Sequence, residues 1–190
     1  MRLWSYEATA GVAARPPSIW PIDSRVTRVA GLPTLVLLIH PKCPCSRATL
    51  AELATIMTDC RGKLAADVVM LRPAGEPVGW ERTDLWDTAA RIPGVTVMSD
   101  PGGGEVRRFD AATSGQAILY DADGRLLFRG GITASRGHQG DNAGRSTITA
   151  LILNTAPKEQ AAAATPVYGC PLADNTLPCP MEGMPPCQTK

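Results

Sequence analysis

The sequence has almost no net charge. Its 19 lysines and arginines stand against 18 aspartates and glutamates, leaving a formal +1 over 190 residues with no long run of either sign. A surface that attracts nucleic acid or an anionic membrane needs a basic excess this chain does not have, so small molecules or proteins are the expected partners and nucleic acid is not. Long apolar runs are also lacking. The longest, Leu35–Ile39 within GLPTLVLLIHP, falls far short of the ~20 residues a membrane-spanning helix needs and reads as a buried strand. The first twenty residues hold an early arginine but no continuous apolar core and no clear cleavage site, so as written they do not form a signal peptide, and the residues alone predict a cytosolic chain. Cysteine is too sparse for a disulfide-built mini-scaffold: there are six, at positions 43, 45, 60, 170, 179 and 187. Two flank a helix start and three sit near the C-terminal end, a placement that points to reactive or paired thiols rather than random core filling.

What is present suffices for one substantial core, since 44% of the residues are hydrophobic and a chain of this length supports one domain plus tails. Residues 1–33 have prolines and aromatics without a sustained period and read as an extended arm. Residues 34–157 read as the domain. Residues 158–190 read as a Cys/Pro-rich tail, with 167–172 packed on the domain and the rest poorly ordered. Within the domain, TLVLLI reads as a central strand ended by His40-Pro41. Ser46 reads as the N-cap of a helix that places Leu50, Leu53, Ala54, Met57 and Cys60 on one face, with Arg61-Gly62-Lys63 as its stop. Cys60 is therefore expected to be a small core residue. ADVVMLRP is a second buried strand, WERTDLWDTAARI a helix and GVTVMSD a third strand. After a glycine-rich turn and a short EVRRF segment, GQAILYDADGRLLFRGG reads as two strands around Asp123-Gly124, closing the sheet with an antiparallel pair. A last helix is expected over Asn142 to Ala156, with Pro157 at its exit. The predicted class is α/β, a central mixed β-sheet flanked by helices.

The chemistry centres on Cys43-Pro44-Cys45-Ser46. A cysteine between a buried strand and a helix N-terminus has its thiolate stabilised by unpaired amides and the helix dipole. Such a thiolate attacks a disulfide or a peroxide, and a second cysteine within reach resolves the mixed disulfide.

HPKCPCSRATLAEL, the βαβαβββα order and YDADGRLLFRGG together resemble bacterial thioredoxin-like proteins of the redoxin and RedB type, over roughly Pro33 to Leu172. GGITASRGHQGDNAGR and TPVYGCPL add to the resemblance. It implies a thioredoxin-like fold and extracytoplasmic redox work, periplasmic or from a membrane anchor that would belong to a longer form of the chain. Two features differ from thioredoxin. Ser46 takes the position of the resolving cysteine of a CxxC motif, leaving Cys45 or the distant Cys170 to resolve. A Cys43–Cys45 bond would close a small, strained and easily reduced ring; Cys170 would be a less strained partner. In the loop before AILYD, where thioredoxins carry a cis-proline that holds substrate backbone, this chain reads Thr113-Ser114-Gly115-Gln116. The glycine still permits close backbone approach, either by a ligand or by a loop of the protein itself.

The leading expectation is thus a thiol–disulfide oxidoreductase with Cys43 as nucleophile, Cys45 as resolving thiol and Cys170 as a relay. Pro44, Ser46, Gly115 and His138 are the candidate substrate-contacting positions. Protein thiols and disulfides, or a small oxidant, are the expected substrates, and no organic cofactor or metal is assigned. His138 is a candidate base or ligand in a glycine-rich loop, and His40 is a weaker one. A peroxiredoxin-like peroxidase competes, although His40 stands where such enzymes carry threonine or serine. So does a copper-binding protein of the same fold using Cys43, Cys45 and His138. Cys179, Cys187, Met181 and Met184 offer further soft donors but match no metal signature, and a tail disulfide is simpler. A third reading is a scaffold without turnover.

Overall fold

The run Thr34–Ile39 forms strand β1 and is buried along its whole length, as a strand covered on both faces must be. Its side chains alternate between two cores. Leu35, Leu37 and Ile39 join Leu50, Leu53 and Ile56 of helix α1 (Ser46–Asp59) on one face, while Val36 and Leu38 join Phe109, Ile118 and Tyr120 on the other. Each such fully buried aliphatic side chain contributes about 1.5–3 kcal/mol, so β1 anchors both layers.

The computed structural model describes residues 8–154 and 162–172. After α1 come β2 (Ala65–Arg72), α2 (Asp84–Ala90), β3 (Val95–Pro101), α3 (Gly104–Arg108), β4 (Gln116–Tyr120), β5 (Leu126–Gly130), α4 (Ala143–Ile152) and the two-residue β6 (Ala163–Ala164). The sheet order is β3-β2-β1-β4-β5-β6. β1 runs parallel to β2 and antiparallel to β4, β2 parallel to β3, β4 antiparallel to β5, and β5 parallel to β6. The mixed six-stranded sheet with flanking helices is the expected α/β class. Cys60 lies fully buried in the α1-side core, as its helical spacing implied.

Several local expectations are corrected. The N-cap of α1 is Cys45, with no side-chain cap bond, and Ser46 is the first helical residue; the Ser46 hydroxyl pairs with Ser114 rather than with its own helix. α2 begins at Asp84, four residues later than Trp80, because Thr83 caps it, its Oγ1 accepting from the Leu85 amide at 3.3 Å. The segment after the glycine-rich turn is a helix. Asp100 holds its start, with Oδ1 accepting from the Glu105 amide at 2.9 Å and Oδ2 from the Val106 amide at 3.0 Å. α4 spans Ala143–Ile152 with Asn142 as N-cap. The β4–β5 hairpin turns at Asp123-Gly124 but does not close the sheet, since β6 adds beyond it. Pro157, Cys179, Met181, Met184 and Cys187 lie outside the described residues.

Two segments wrap this frame. Residues 8–33 cross the second core: Trp20 packs edge-on against Phe109 and Tyr120 at 5.6 and 5.1 Å, and Arg25 pairs with the buried carboxylates of Asp100 and Glu105. Residues 162–172 run from β6 along the end of β5 and over the loop before β4. Gly131 N donates to Pro166 O, and Val167 and Leu172 are buried.

Candidate active site

The carboxyl end of β1 leads into the turn His40–Cys45, and α1 starts at once. The turn is tied by Cys43 N donating to His40 O at 3.0 Å and Ser46 N to Cys43 O at 3.1 Å. Cys43 is 1% exposed and Cys45 half-buried. Opposite them, the loop before β4 is held to the end of β1 by Gly115 N donating to Leu38 O at 2.8 Å. Gly115 has φ +89°, and a Cβ there would lie 3.1 Å from Thr49 Oγ1 of α1, so glycine is what lets the loop sit this close.

Ser114, part of the loop that stands at the cis-proline position but not itself a candidate, joins three elements. Its Oγ accepts from the His40 amide at 2.8 Å and lies 3.0 Å from Ser46 Oγ. Its backbone amide donates to Cys170 O at 2.8 Å, and two residues on the other side Leu172 N donates to Ala112 O at 2.8 Å. Thr113 and Pro171 form an antiparallel bridge. The segment Gly169–Leu172 therefore lies along residues 112–114 as a short added strand. Gly169 is packed so tightly that a Cβ would sit 1.9 Å from Ser114 O. Arg136, from the loop after β5, donates to the Gly169 carbonyl.

This placement brings Cys170 Sγ to 2.9 Å from Cys43 Sγ, within hydrogen-bonding distance for sulfur. Among the described residues Cys43, Cys45, Cys60 and Cys170 are free thiols. The hydrogen bond from Cys170, then that from Cys45, holds the Cys43 thiol far below its ordinary range against the opposing effect of burial. The proton stays on Cys170, whose own titration is driven far above the ordinary thiol range by the same contact with Cys43 and by Cys45. At Cys45, the bond to Cys170 favours the thiolate; the bond to Cys43, burial and the Cys43 charge outweigh it, so its titration moves up. These directions favour the thiolate at Cys43 and the protonated thiol at Cys45 and Cys170.

Of the sequence candidates, Cys43, Pro44, Cys45, Ser46, Gly115 and Cys170 come together here. His138 lies exposed on the loop after β5 and is not among the groups that chiefly influence the three thiols. His40 is closer: burial lowers its titration while the Cys43 charge opposes that. Its ring stands edge-on to Trp80 at 5.8 Å, and Lys42 Nζ lies 4.1 Å over the Trp80 ring. Among the described residues no cluster of three or more His, Cys, Asp or Glu side chains is arranged to hold a metal ion.

Behind the site, Glu52 of α1 is buried and accepts from Gly140 N at 2.7 Å, Asn142 Nδ2 at 3.2 Å and Arg145 Nη1 at 2.7 Å. One carboxylate thus fastens the loop that carries Arg136, and the start of α4, to the active-site helix.

A cysteine-bearing turn between a central strand and a helix, set in a sheet with this mixed order, defines a thioredoxin-like fold. No family model and no curated protein matches the chain. Among solved structures it is similar to a hypothetical protein from Sinorhizobium meliloti, at 16% identity over 85% of this chain and 97% of that one with TM-score 0.63. It is also similar to an uncharacterized conserved protein from Geobacillus kaustophilus, at 19% identity over 89% and 94% with TM-score 0.59. A secreted Mycobacterium tuberculosis disulfide oxidoreductase homologous to E. coli DsbE matches at 14% identity over 66% and 83%, with TM-score 0.46.

Proposed function

We propose that the chain is a thiol–disulfide oxidoreductase of the redoxin and RedB type, working outside the cytoplasm on protein or small-molecule disulfides. The observation that carries this reading is the 2.9 Å contact between Cys43 and Cys170 beside a helix N-terminus. The Cys43 thiolate attacks a substrate disulfide, forming an S–S bond to one substrate sulfur and expelling the other as a thiolate. Cys170, losing its proton to the leaving thiolate, then attacks the Cys43 sulfur. The second substrate sulfur leaves and a Cys43–Cys170 disulfide remains. Two electrons pass from the cysteine pair to the substrate; an external dithiol restores the pair. Cys45, which influences the titration of both Cys43 and Cys170, is the second resolving candidate.

Turnover of a protein disulfide with a dithiol as reductant tests this. Cys43→Ser is expected to abolish the catalysed rate, whereas an unchanged rate in that variant defeats the proposal.

A further inference from the structure

A thioredoxin-like site that works on polypeptides needs an open edge where a substrate strand can lie beside its reactive cysteine. Here that edge is filled from within. Gly169–Leu172 pairs antiparallel with Ala112–Ser114 through the Ser114 N to Cys170 O and Leu172 N to Ala112 O bonds. It presents a cysteine directly to Cys43, and Cys43 itself is only 1% exposed. Both ends of the segment are anchored: Val167 is buried and its carbonyl accepts from Gly11 N at 2.8 Å, and Leu172 is buried in the second core. The residue before the cysteine is a glycine, and a Cβ at that position would fall 1.9 Å from Ser114 O, so no residue with a side chain fits there without displacement.

We propose that Gly169–Leu172 is a tethered pseudo-substrate strand, so that an incoming cysteine-bearing polypeptide must displace it from residues 112–114 before Cys43 reacts. This rests on the exchange reading above. The segment covers the nucleophile in the resting protein and returns to resolve the mixed disulfide once a substrate has reacted, which confines the open state to encounters with a strand able to compete for the same two backbone bonds.

The test uses the full reduced chain and a decapeptide whose single cysteine is a mixed disulfide with thionitrobenzoate. Cys43 attacks the peptide sulfur, forming a new S–S bond and releasing thionitrobenzoate as a coloured thiolate. Mass mapping counts the Cys43 product. The assay runs at about pH 9, near the ordinary thiol titration, so that altered thiolate stabilisation does not mask altered access. Gly169→Ala, which drives a methyl into Ser114 O, is expected to raise the rate at Cys43 by about tenfold or more, the scale of releasing two backbone hydrogen bonds. Arg136→Gln, which loosens the same contact without a buried clash, is expected to fall between wild type and Gly169→Ala. Thermal unfolding checks that each variant is folded, and the Arg136 variant decides the matter if Gly169→Ala is not. Equal rates in wild type and variants would overturn the gate while leaving the exchange reading intact. No reaction at Cys43 in any of them would overturn both.

Discussion

Cys43 Sγ and Cys170 Sγ lie 2.9 Å apart although 127 residues of chain separate them. The contact lowers the Cys43 titration and raises that of Cys170, favouring the thiolate at Cys43. Cys170→Ala is therefore expected to move the Cys43 titration upward, toward the ordinary thiol range. Thiolate absorbance in the far ultraviolet, followed against pH, measures it. An unmoved midpoint would mean that the helix end alone stabilises the thiolate. Ser46→Ala is expected to act in the same direction and more weakly, because Ser46 stands last among the groups that lower Cys43.

Resolution by Cys170 predicts a trapping asymmetry. With a peptide disulfide, Cys170→Ser is expected to accumulate the Cys43 mixed disulfide, seen as the peptide's added mass, while Cys45→Ser clears it at close to the wild-type rate. The reverse pattern would assign resolution to Cys45.

Glu52 ties the active-site helix to the loop of Arg136 through three hydrogen bonds, one of them an ion pair with Arg145. Removing a buried carboxylate strands its partners. Glu52→Ala is expected to cost about 3 kcal/mol by urea unfolding, and to raise amide exchange over residues 136–142.

Asp67, buried on β2 among the second core's strands, has its carboxyl pushed up to about 6 by burial. Between the ordinary value of 3.8 and about 6 the folded chain holds a proton that the unfolded chain has released, so stability falls as pH rises through that window. Asp67→Asn removes the dependence. It is expected to be more stable than wild type by about 1–2 kcal/mol near neutral pH and no more stable near pH 4. A variant that gains equally at both pH values would place the cause elsewhere.

The elements that announced themselves in the sequence are those with local causes. β1 and the Val68–Leu71 stretch of β2 are apolar runs, the β4–β5 turn carries Asp123-Gly124, and Cys60 falls at helical spacing from Leu53 and Met57. The details that the sequence left unassigned or misjudged have distant causes. α3 has five residues and little intrinsic tendency, and it forms because Asp100 meets its first amides. Ser46 caps nothing because Ser114, 68 residues away, takes its hydroxyl. β6 is two residues long and exists only through its pairing with β5. The cysteine turn was legible from its place between strand and helix, and Gly115 from the loop before AILYD. The pairing of Gly169–Leu172 with residues 112–114, and the roles of Ser114, Glu52 and Arg136, depend on contacts that no periodicity encodes. A glutamate inside the apolar repeat of α1, beside Leu53, was the one available sign of the Glu52 network.

The most direct test of the central claim is cysteine mapping by mass spectrometry after equilibrating the full chain in glutathione buffers of graded redox potential. The account predicts a reversible two-electron transition that links Cys43 to Cys170, leaves Cys60 free throughout, and disappears in Cys43→Ser. A Cys43 that never pairs with Cys170 at any potential would contradict it.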